Sequence, residues 1–436
     1  MLKRSLNNFM NAMTANDHTM YPFATTNAKD FENLLGVYLD AVFFPTLHPL
    51  DFSQEGHRVE WSDDNSTLQF KGVVLNEMKG VMSDSQNLFS TRLQQDLMQG
   101  TIYQHLSGGD PSTDLTSLTY DELVAFHRSK YHPSNCLFYS YGNFALEDHL
   151  ETIDKTVLSQ FDASDSVPPV IISPLPEGVA PTSSERHITG VSPTAASQTK
   201  WCRAHVVPGL LSTDSFECFV LRLLSYLLLN GPSAPLYQAL ITSELAVDFA
   251  AGTGLDTSTL NPSFGVGVEG FDDLDTIKAT IDATLKDVVR DGFDQARIDA
   301  VLHQMAANPR YLQDMLDKYI VQPHLATSVA LLMTPSTSFV SEQEAKERRT
   351  LDEMAANLSE DDKNAIASQA KVLAEHQQQV PNVDCLPTLT VQDIPRLQPR
   401  LDVSTSADTG AQFVPQTTNE ITYARPRCVL RQAWNF

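Results

Sequence analysis

Residues 73–80 read Val-Val-Leu-Asn-Glu-Met-Lys-Gly, and residues 11–23 read Asn-Ala-Met-Thr-Ala-Asn-Asp-His-Thr-Met-Tyr-Pro-Phe. The first belongs to a stretch of helical character running from about Gly72 through Leu97, and it carries one carboxylate, Glu77. The second is rich in Thr, Met, Tyr and Phe and shows little helical period, which predicts a strand over residues 12–26. Pro22 suits an edge position, because proline cannot donate to a ladder. Between the two stretches Asn27 can cap a helix with Asp30 at its third position. Its apolar stripe is Phe31, Leu34, Leu35, Tyr38, Leu39 and Val42, and Pro45 stops it.

Further along, Gly100 and the Ser107-Gly108-Gly109-Asp110-Pro111 loop end the helical stretch. A helix is predicted over Leu118 to Lys130, with Thr119 and Glu122 as a capping box. Cys136 to Tyr141 reads as a strand that enters a Gly142-Asn143 turn, and Leu146 to Phe161 reads as a helix. Residues 162–200, rich in Pro, Ser and Thr, read as a linker. A second unit then shows a helix near Ser215 to Asn230, a strand over Phe264 to Val268, and an amphipathic helix over Asp272 to Arg290. That last helix rests on Leu274, Ile277, Ile281, Leu285 and Val288, and Gly292 ends it. Ser341 to Gln379 reads as a helical hairpin with capping boxes at Ser341/Glu344 and Ser359/Asp362. Pro381 onward reads as extended chain, and Ala424 to Phe436 shows no clear pattern. Helices set beside mostly antiparallel strands give an α+β fold class.

At 436 residues the chain is long enough for two or three domains with substantial cores. Its 42% hydrophobic and 19% charged content is ordinary for a globular protein. No run of 18 apolar residues occurs, which argues against a membrane span. A formal charge of −24 argues against nucleic-acid binding, which needs clustered Lys and Arg, and favours cationic partners. The five cysteines (Cys136, Cys202, Cys218, Cys385, Cys428) form no Cys-x-x-Cys pair, so they read as ordinary buried thiols.

Taken alone, Glu77 is a helix-surface glutamate. A catalytic zinc takes about three protein ligands and an open position. A His-x-x-Glu-His helix supplies two ligands and a general base from one face. No such motif occurs in the chain: His57-Arg58-Val59-Glu60 is followed by Trp61. His127 and His132 lie five residues apart, with Pro133 after them, and His18, His48 and His105 are isolated, so all read as surface or structural histidines. Phosphate loops, nucleophile elbows and dinucleotide fingerprints are absent. Gly265-x-Gly267 sits inside a predicted strand and carries no motif.

Together, Asn76-Glu77-Met78-Lys79, the Asn11-Ala12-Met13-Thr14 strand and the Ser107–Pro111 loop resemble the presequence-protease branch of the pitrilysin-type zinc metallopeptidases. Gly231-Pro232-Ser233-Ala234-Pro235-Leu236-Tyr237, Phe264 to Gly267, Tyr311-Leu312-Gln313-Asp314 and Cys385 to Pro395 continue the resemblance in the same order. It implies two consecutive pitrilysin-type domains, each an antiparallel sheet flanked by helices, then a helical-hairpin linker and the start of a third domain. The implied bounds are 1–161, a linker over 162–200, 201–340, the hairpin over 341–380, and 381–436.

The resemblance implies that Glu77 is the third ligand of a Zn2+ ion, whose His-x-x-Glu-His ligands lie upstream of Asn11. It implies that Asn11, Ala12, Met13 and Thr14 pair with an extended peptide, which is β-augmentation. Gly108 and Gly109 join them as candidate substrate-binding residues. The implied substrates are basic targeting peptides and other short unfolded peptides, in the mitochondrial matrix or plastid stroma. Met1 to Met10 is basic and Ser-containing, but matches a segment internal to the family and reads as mature sequence.

Against the family, the zinc helix is missing before Met1, a helical stretch is missing between about Met305 and Tyr311, and the match stops after Tyr423. Nearly the whole second half of the enzyme is therefore absent, with no catalytic residue present in this chain. An incomplete or mis-spliced gene explains all three gaps. The alternative is a non-catalytic homologue, acting as a peptide-binding or structural subunit. The gap near Met305 further predicts exposed apolar surface in the second domain.

Overall fold

The computed structural model describes residues 4–64, 66–163, 183–191, 199–207, 215–295, 298, 320, 328–380, 382–394, 404–405, 412–418 and 421–425. The stretch predicted as one strand over 12–26 is a ribbon folded back on itself. Its strands are β1 (Phe9–Met10), β2 (Met13–Thr14), β3 (Thr19–Met20) and β4 (Phe23–Ala24), with Phe9 opposite Ala24 and Thr14 opposite Thr19. Asn16 and Asp17 supply the turn that a single-strand reading overlooks. The Asp17 carboxylate accepts from His18 Nδ1 at 2.6 Å and from Tyr103 OH at 2.8 Å.

Helix α1 (Ala28–Phe43) starts where Asn27 Oδ1 accepts the Asp30 N–H at 2.9 Å, as its cap predicts. Its Leu39 and Phe43 bury against Ile153 and Val157. A second ribbon pairs β5 (Arg58–Trp61) with β6 (Leu68–Lys71). The helical stretch from Gly72 then divides into α2 (Val73–Ser83) and α3 (Ser85–Leu97). Asp84 breaks it: its backbone is extended, and its carboxylate takes the N–H groups of Gln86 and Asn87, each at 2.9 Å. Helix α4 (Tyr120–Lys130) begins with the Thr119/Glu122 capping box in both directions, and α5 (Leu146–Thr156) follows.

Cys136 to Tyr141 departs from its reading as a strand. The segment joins no ladder among the described residues, and Leu137, Tyr139 and Tyr141 are 89%, 84% and 85% exposed. Phe138 turns the other way, onto Phe43. The alternation of a strand is therefore present without the neighbour that would complete it. In the first unit the described strands form only two-stranded ribbons rather than the expected flanked sheet.

The second unit holds the main sheet. It contains β7 (Ser183–Val191), β8 (Lys200–Val206), β9 (Asp248–Phe249), β10 (Gly254–Asp256), β11 (Ser263–Glu269) and β12 (Ser328–Ser336). The order is β10-β11-β8-β12-β7, with β9 also on β11. All pairs are antiparallel except β12 with β7, so the sheet is mixed. Strand β7 lies inside the stretch expected as linker. Its Ile188 and Val191 pack into a core, which a reading of local Pro and Ser content does not register.

Side chains alternate across this sheet. Trp201, Phe264, Val266 and Val268 face α6 (Ser215–Leu229) and α7 (Leu274–Asp291), whose Leu221, Leu224, Leu228, Ile277, Ile281 and Leu285 are buried there. Cys202, Ala204, Val206, Val329, Leu331 and Met333 face Leu88, Phe89, Leu93 and Leu97 of α3. A helix from the first unit thus forms the third layer of the second. Gly265 and Gly267 fall on that same face: a Cβ on Gly265 would lie 2.1 Å from the Gly252 carbonyl oxygen. The pair is there for close packing. The outward side of α6 leaves Phe216, Phe219 and Tyr226 about half exposed, while residues 305–314 lie outside the described residues.

Helices α8 (Phe339–Asn357) and α9 (Glu360–Gln378) form the predicted hairpin. The Ser359/Asp362 box is present, but the first arm starts earlier than Ser341, with Ser338 Oγ donating to Glu342 at 2.6 Å. Each arm buries one leucine, Leu351 or Leu373. Beyond it, β13 (Ser404–Thr405), β14 (Gln412–Thr418) and β15 (Ile421–Arg425) make a small antiparallel sheet. Cys202 and Cys218 are buried, as expected, but Cys136 and Cys385 are exposed.

Because Phe89 is fully buried between α3 and the sheet, Phe89→Ala should cost about 3–5 kcal/mol. Urea unfolding monitored by circular dichroism measures it. A loss under about 1 kcal/mol, near the cost of a surface change, would mean that α3 is not part of that core.

Candidate functional site

The ribbon, the Ser107–Pro111 loop and α2 meet at one place. Asn11 N–H donates to the Pro22 carbonyl at 3.0 Å and Ala15 N–H to the His18 carbonyl at 2.8 Å. In an antiparallel pair the bonding residues alternate, so Ala12 and Thr14 turn their main-chain groups away from the partner strand. All four residues from Asn11 to Thr14 are exposed. Tyr38 OH reaches the Asn11 carbonyl at 3.3 Å and the Pro22 carbonyl at 3.4 Å, tying the ribbon to α1. Burial pushes the Tyr38 hydroxyl above the usual phenol range, and its contact with Asn11 offsets part of that.

Two outward groups of this edge are already engaged. Asn11 Oδ1 accepts the Ala12 N–H at 2.8 Å, and Ser107 Oγ donates to the Thr14 carbonyl at 2.7 Å. Ser107 begins the loop whose Gly108 and Gly109 both hold positive φ, 88° and 87°. A Cβ on Gly108 would come within 2.7 Å of Met78 Sδ. The loop is thus seated between the edge strand and the residue next to Glu77. This requirement for glycine is visible in the sequence; the bond from Ser107 is not, because it spans 93 positions.

Glu77 itself is exposed and makes no hydrogen bond or ion pair among the described residues. Leu75 and Met78 bury the opposite side of α2. Lys79 binds Glu347 of α8 through both carboxylate oxygens, at 2.7 and 2.8 Å, and Arg348 Nη1 donates to the Leu68 carbonyl at 3.1 Å. The hairpin therefore steadies the helix that carries Glu77. Sequence reading assigned Lys79 no part, although it lies in the same motif.

The donor set does not make a zinc centre. Among the described residues no three His, Cys, Asp or Glu come together as metal ligands. The histidines are used locally. His57 Nε2 contacts the Leu118 carbonyl at 2.7 Å, His127 Nε2 the Val42 carbonyl at 3.0 Å, and His48 and His132 accept backbone N–H groups. Glu77 alone does not fit a catalytic zinc centre, which takes about three protein ligands.

The turn of the ribbon is held from both units. Asp17 accepts from Tyr103, and the same Tyr103 hydroxyl accepts the Leu260 N–H at 3.0 Å. Burial pushes the Asp17 carboxyl up, but donation from His18 and Tyr103 outweighs it, leaving it below its ordinary 3.8.

Two outcomes follow from this geometry. Gly108→Ala should cost about 1–3 kcal/mol in thermal or urea unfolding, from the left-handed backbone and the contact with Met78. Asp17 stabilises the fold while ionised, and a depressed carboxyl keeps that stabilisation above pH 3.8 and loses it as pH falls through the folded value. Asp17→Asn should therefore lower the unfolding midpoint at neutral pH, with the gap from wild type closing below pH 3.8. A gap that stays constant with pH would contradict the assignment.

Residues 117–305 match the family described as Peptidase M16 inactive domain, and residues 333–432 match the domain described as associated with subfamily C of peptidase M16. The chain is 36% identical to the mitochondrial presequence protease of Danio rerio, over 98% of this chain and 46% of that protein. It is 37% identical to the one from Mus musculus, over the same shares. The chain thus spans about half the length of the curated relatives it matches (46%). In fold it is similar to the crystal structure of a peptidase M16 inactive domain from Pseudomonas fluorescens, with a TM-score of 0.50 and 15% identity over 75% of this chain and 81% of that one. Ordered motifs, sheet architecture and these relatives agree: the chain belongs to the pitrilysin-type M16 peptidase family.

Proposed function

We propose that the chain is part of a mitochondrial presequence-protease-type zinc metalloendopeptidase, acting on targeting peptides and other short unfolded peptides, and that its described residues hold the peptide. The observation that carries this reading is the meeting of the exposed Asn11–Thr14 edge with the Ser107–Gly109 loop, which rests on the helix of Glu77. An outward edge offers main-chain hydrogen bonds that any extended peptide can use, which suits a substrate class defined by lack of fold rather than by sequence. A folded protein has no free strand to lend. Met13 and Met20, both about half exposed, add apolar contact that adapts to varied side chains. The charge of −24 favours the basic peptides that target proteins to mitochondria.

Zinc, bound in such an enzyme, polarises the scissile carbonyl or activates a water. The described residues offer it only Glu77, so no hydrolytic step is assigned to them; their part is to bind and align. The names of the relatives support the mitochondrial setting.

The test is anisotropy of a fluorescent basic amphipathic peptide titrated with the chain. Binding should weaken as salt rises, and unlabelled unfolded peptides should compete. Thr14→Pro removes one outward N–H without touching the side that faces the partner strand, and should weaken binding by roughly 3–10-fold. Absence of binding at low salt, or equal competition by a folded basic protein, would defeat the reading.

A further inference from the structure

On the outward side of Ala12 and Thr14 an added antiparallel strand would use four main-chain groups: the N–H and C=O of each residue. Two of them are spoken for. The Ala12 N–H is held by Asn11 Oδ1 at 2.8 Å, and the Thr14 C=O is held by Ser107 Oγ at 2.7 Å. What remains is the Ala12 C=O and the Thr14 N–H, two groups that flank Met13.

We infer that Asn11 and Ser107 are side-chain gates on the peptide edge. In the free chain they close half of its hydrogen-bonding positions, and a bound peptide must displace them to complete a full ladder. This rests on the peptide-holding role proposed for the same strand and adds its regulation.

The chemistry supports a gate rather than a fixed cap. Asn11 is exposed and its carboxamide bonds the very next N–H, so rotation about its side-chain bonds releases the group at little cost. The main chain does not move with it, because Tyr38 holds the Asn11 carbonyl and the Asn11 N–H is bonded to Pro22. Ser107 is likewise a hydroxyl on a loop whose seat is set separately, by Gly108 on Met78 and by Asn16 Nδ2 donating to the His105 carbonyl. Releasing Ser107 therefore opens the Thr14 carbonyl without unseating the loop. A closed edge has a second use. An exposed strand edge invites pairing between copies, and covering its groups lowers that tendency.

The gate also sets what can bind. A peptide that offers only one N–H and one C=O in register meets the closed edge at two points. A peptide with an unbroken run of main-chain groups can exchange four. N-methylated or proline-interrupted segments gain nothing from opening and should be disfavoured.

The experiment has two readouts on the whole chain. Amide hydrogen exchange at Ala12 reports the Asn11 gate without any peptide. Asn11→Ala should speed that exchange at least several-fold, whereas Asn11→Asp, which keeps the acceptor, should leave it protected. Anisotropy with a fluorescent basic extended peptide reports the edge: Asn11→Ala and Ser107→Ala should each tighten binding by about 3–10-fold, since neither gate then has to be displaced. Unchanged exchange in Asn11→Ala, or binding that is equal or weaker in both variants while wild type binds, overturns the gate and leaves the peptide-holding role standing. If neither wild type nor variants bind the peptide, the gate and the role fall together.

Discussion

The apolar side of one helix, Ser85–Leu97, holds this structure together. Leu88, Phe89, Leu93 and Leu97 are buried against a sheet whose strands begin nearly a hundred residues later. Helices on its far side would leave that sheet with one bare face; this helix covers it. Removing a fully buried Phe or Leu from water contributes about 1.5–3 kcal/mol each, so four such side chains outweigh every surface ion pair described above. Because the same helix continues from the one that carries Glu77, the main core also fixes where the candidate site stands.

Smaller interactions then set the site's details. Tyr103 bonds the ribbon turn and the second unit with one hydroxyl. Lys79 and Arg348 clamp the helical hairpin to the Glu77 helix and the neighbouring ribbon. Lys200 and Glu269 form a nearly buried pair at the sheet, and Gln86 donates to the same carboxylate at 2.6 Å. A buried pair of this kind adds little net stability, yet removing one partner is costly, so it fixes where the helix sits along the sheet.

What the sequence disclosed follows the range of each interaction. Asn27, Thr119 and Ser359 cap helices with partners three residues away, and all three were legible. Asp84 was equally local but lay inside a helical period that masked it. The turn at Asn16-Asp17 was concealed by strand-forming residues on both sides. Burial of Leu93 against Gly252 needs contacts across the chain that no window of sequence contains. At the site, the motif marked Glu77, Gly108 and Thr14, while their mutual placement through Ser107 and Met78 required the structure. The strand expected over Cys136 to Tyr141 keeps its alternation, but a ladder is a property of two segments, and one segment cannot announce it.

That same segment has a consequence for the chain in solution. Leu137, Tyr139 and Tyr141 line one side of a short, uncharged, proline-free stretch whose backbone joins no strand ladder among the described residues. Such a stretch is a seed for cross-β growth between molecules. What opposes it is mutual repulsion between chains that each carry a formal charge of −24. Repulsion of this kind is screened by salt, while the attraction between apolar strands is not. Ionic strength is then the variable that decides whether the chain stays dispersed or begins to stack.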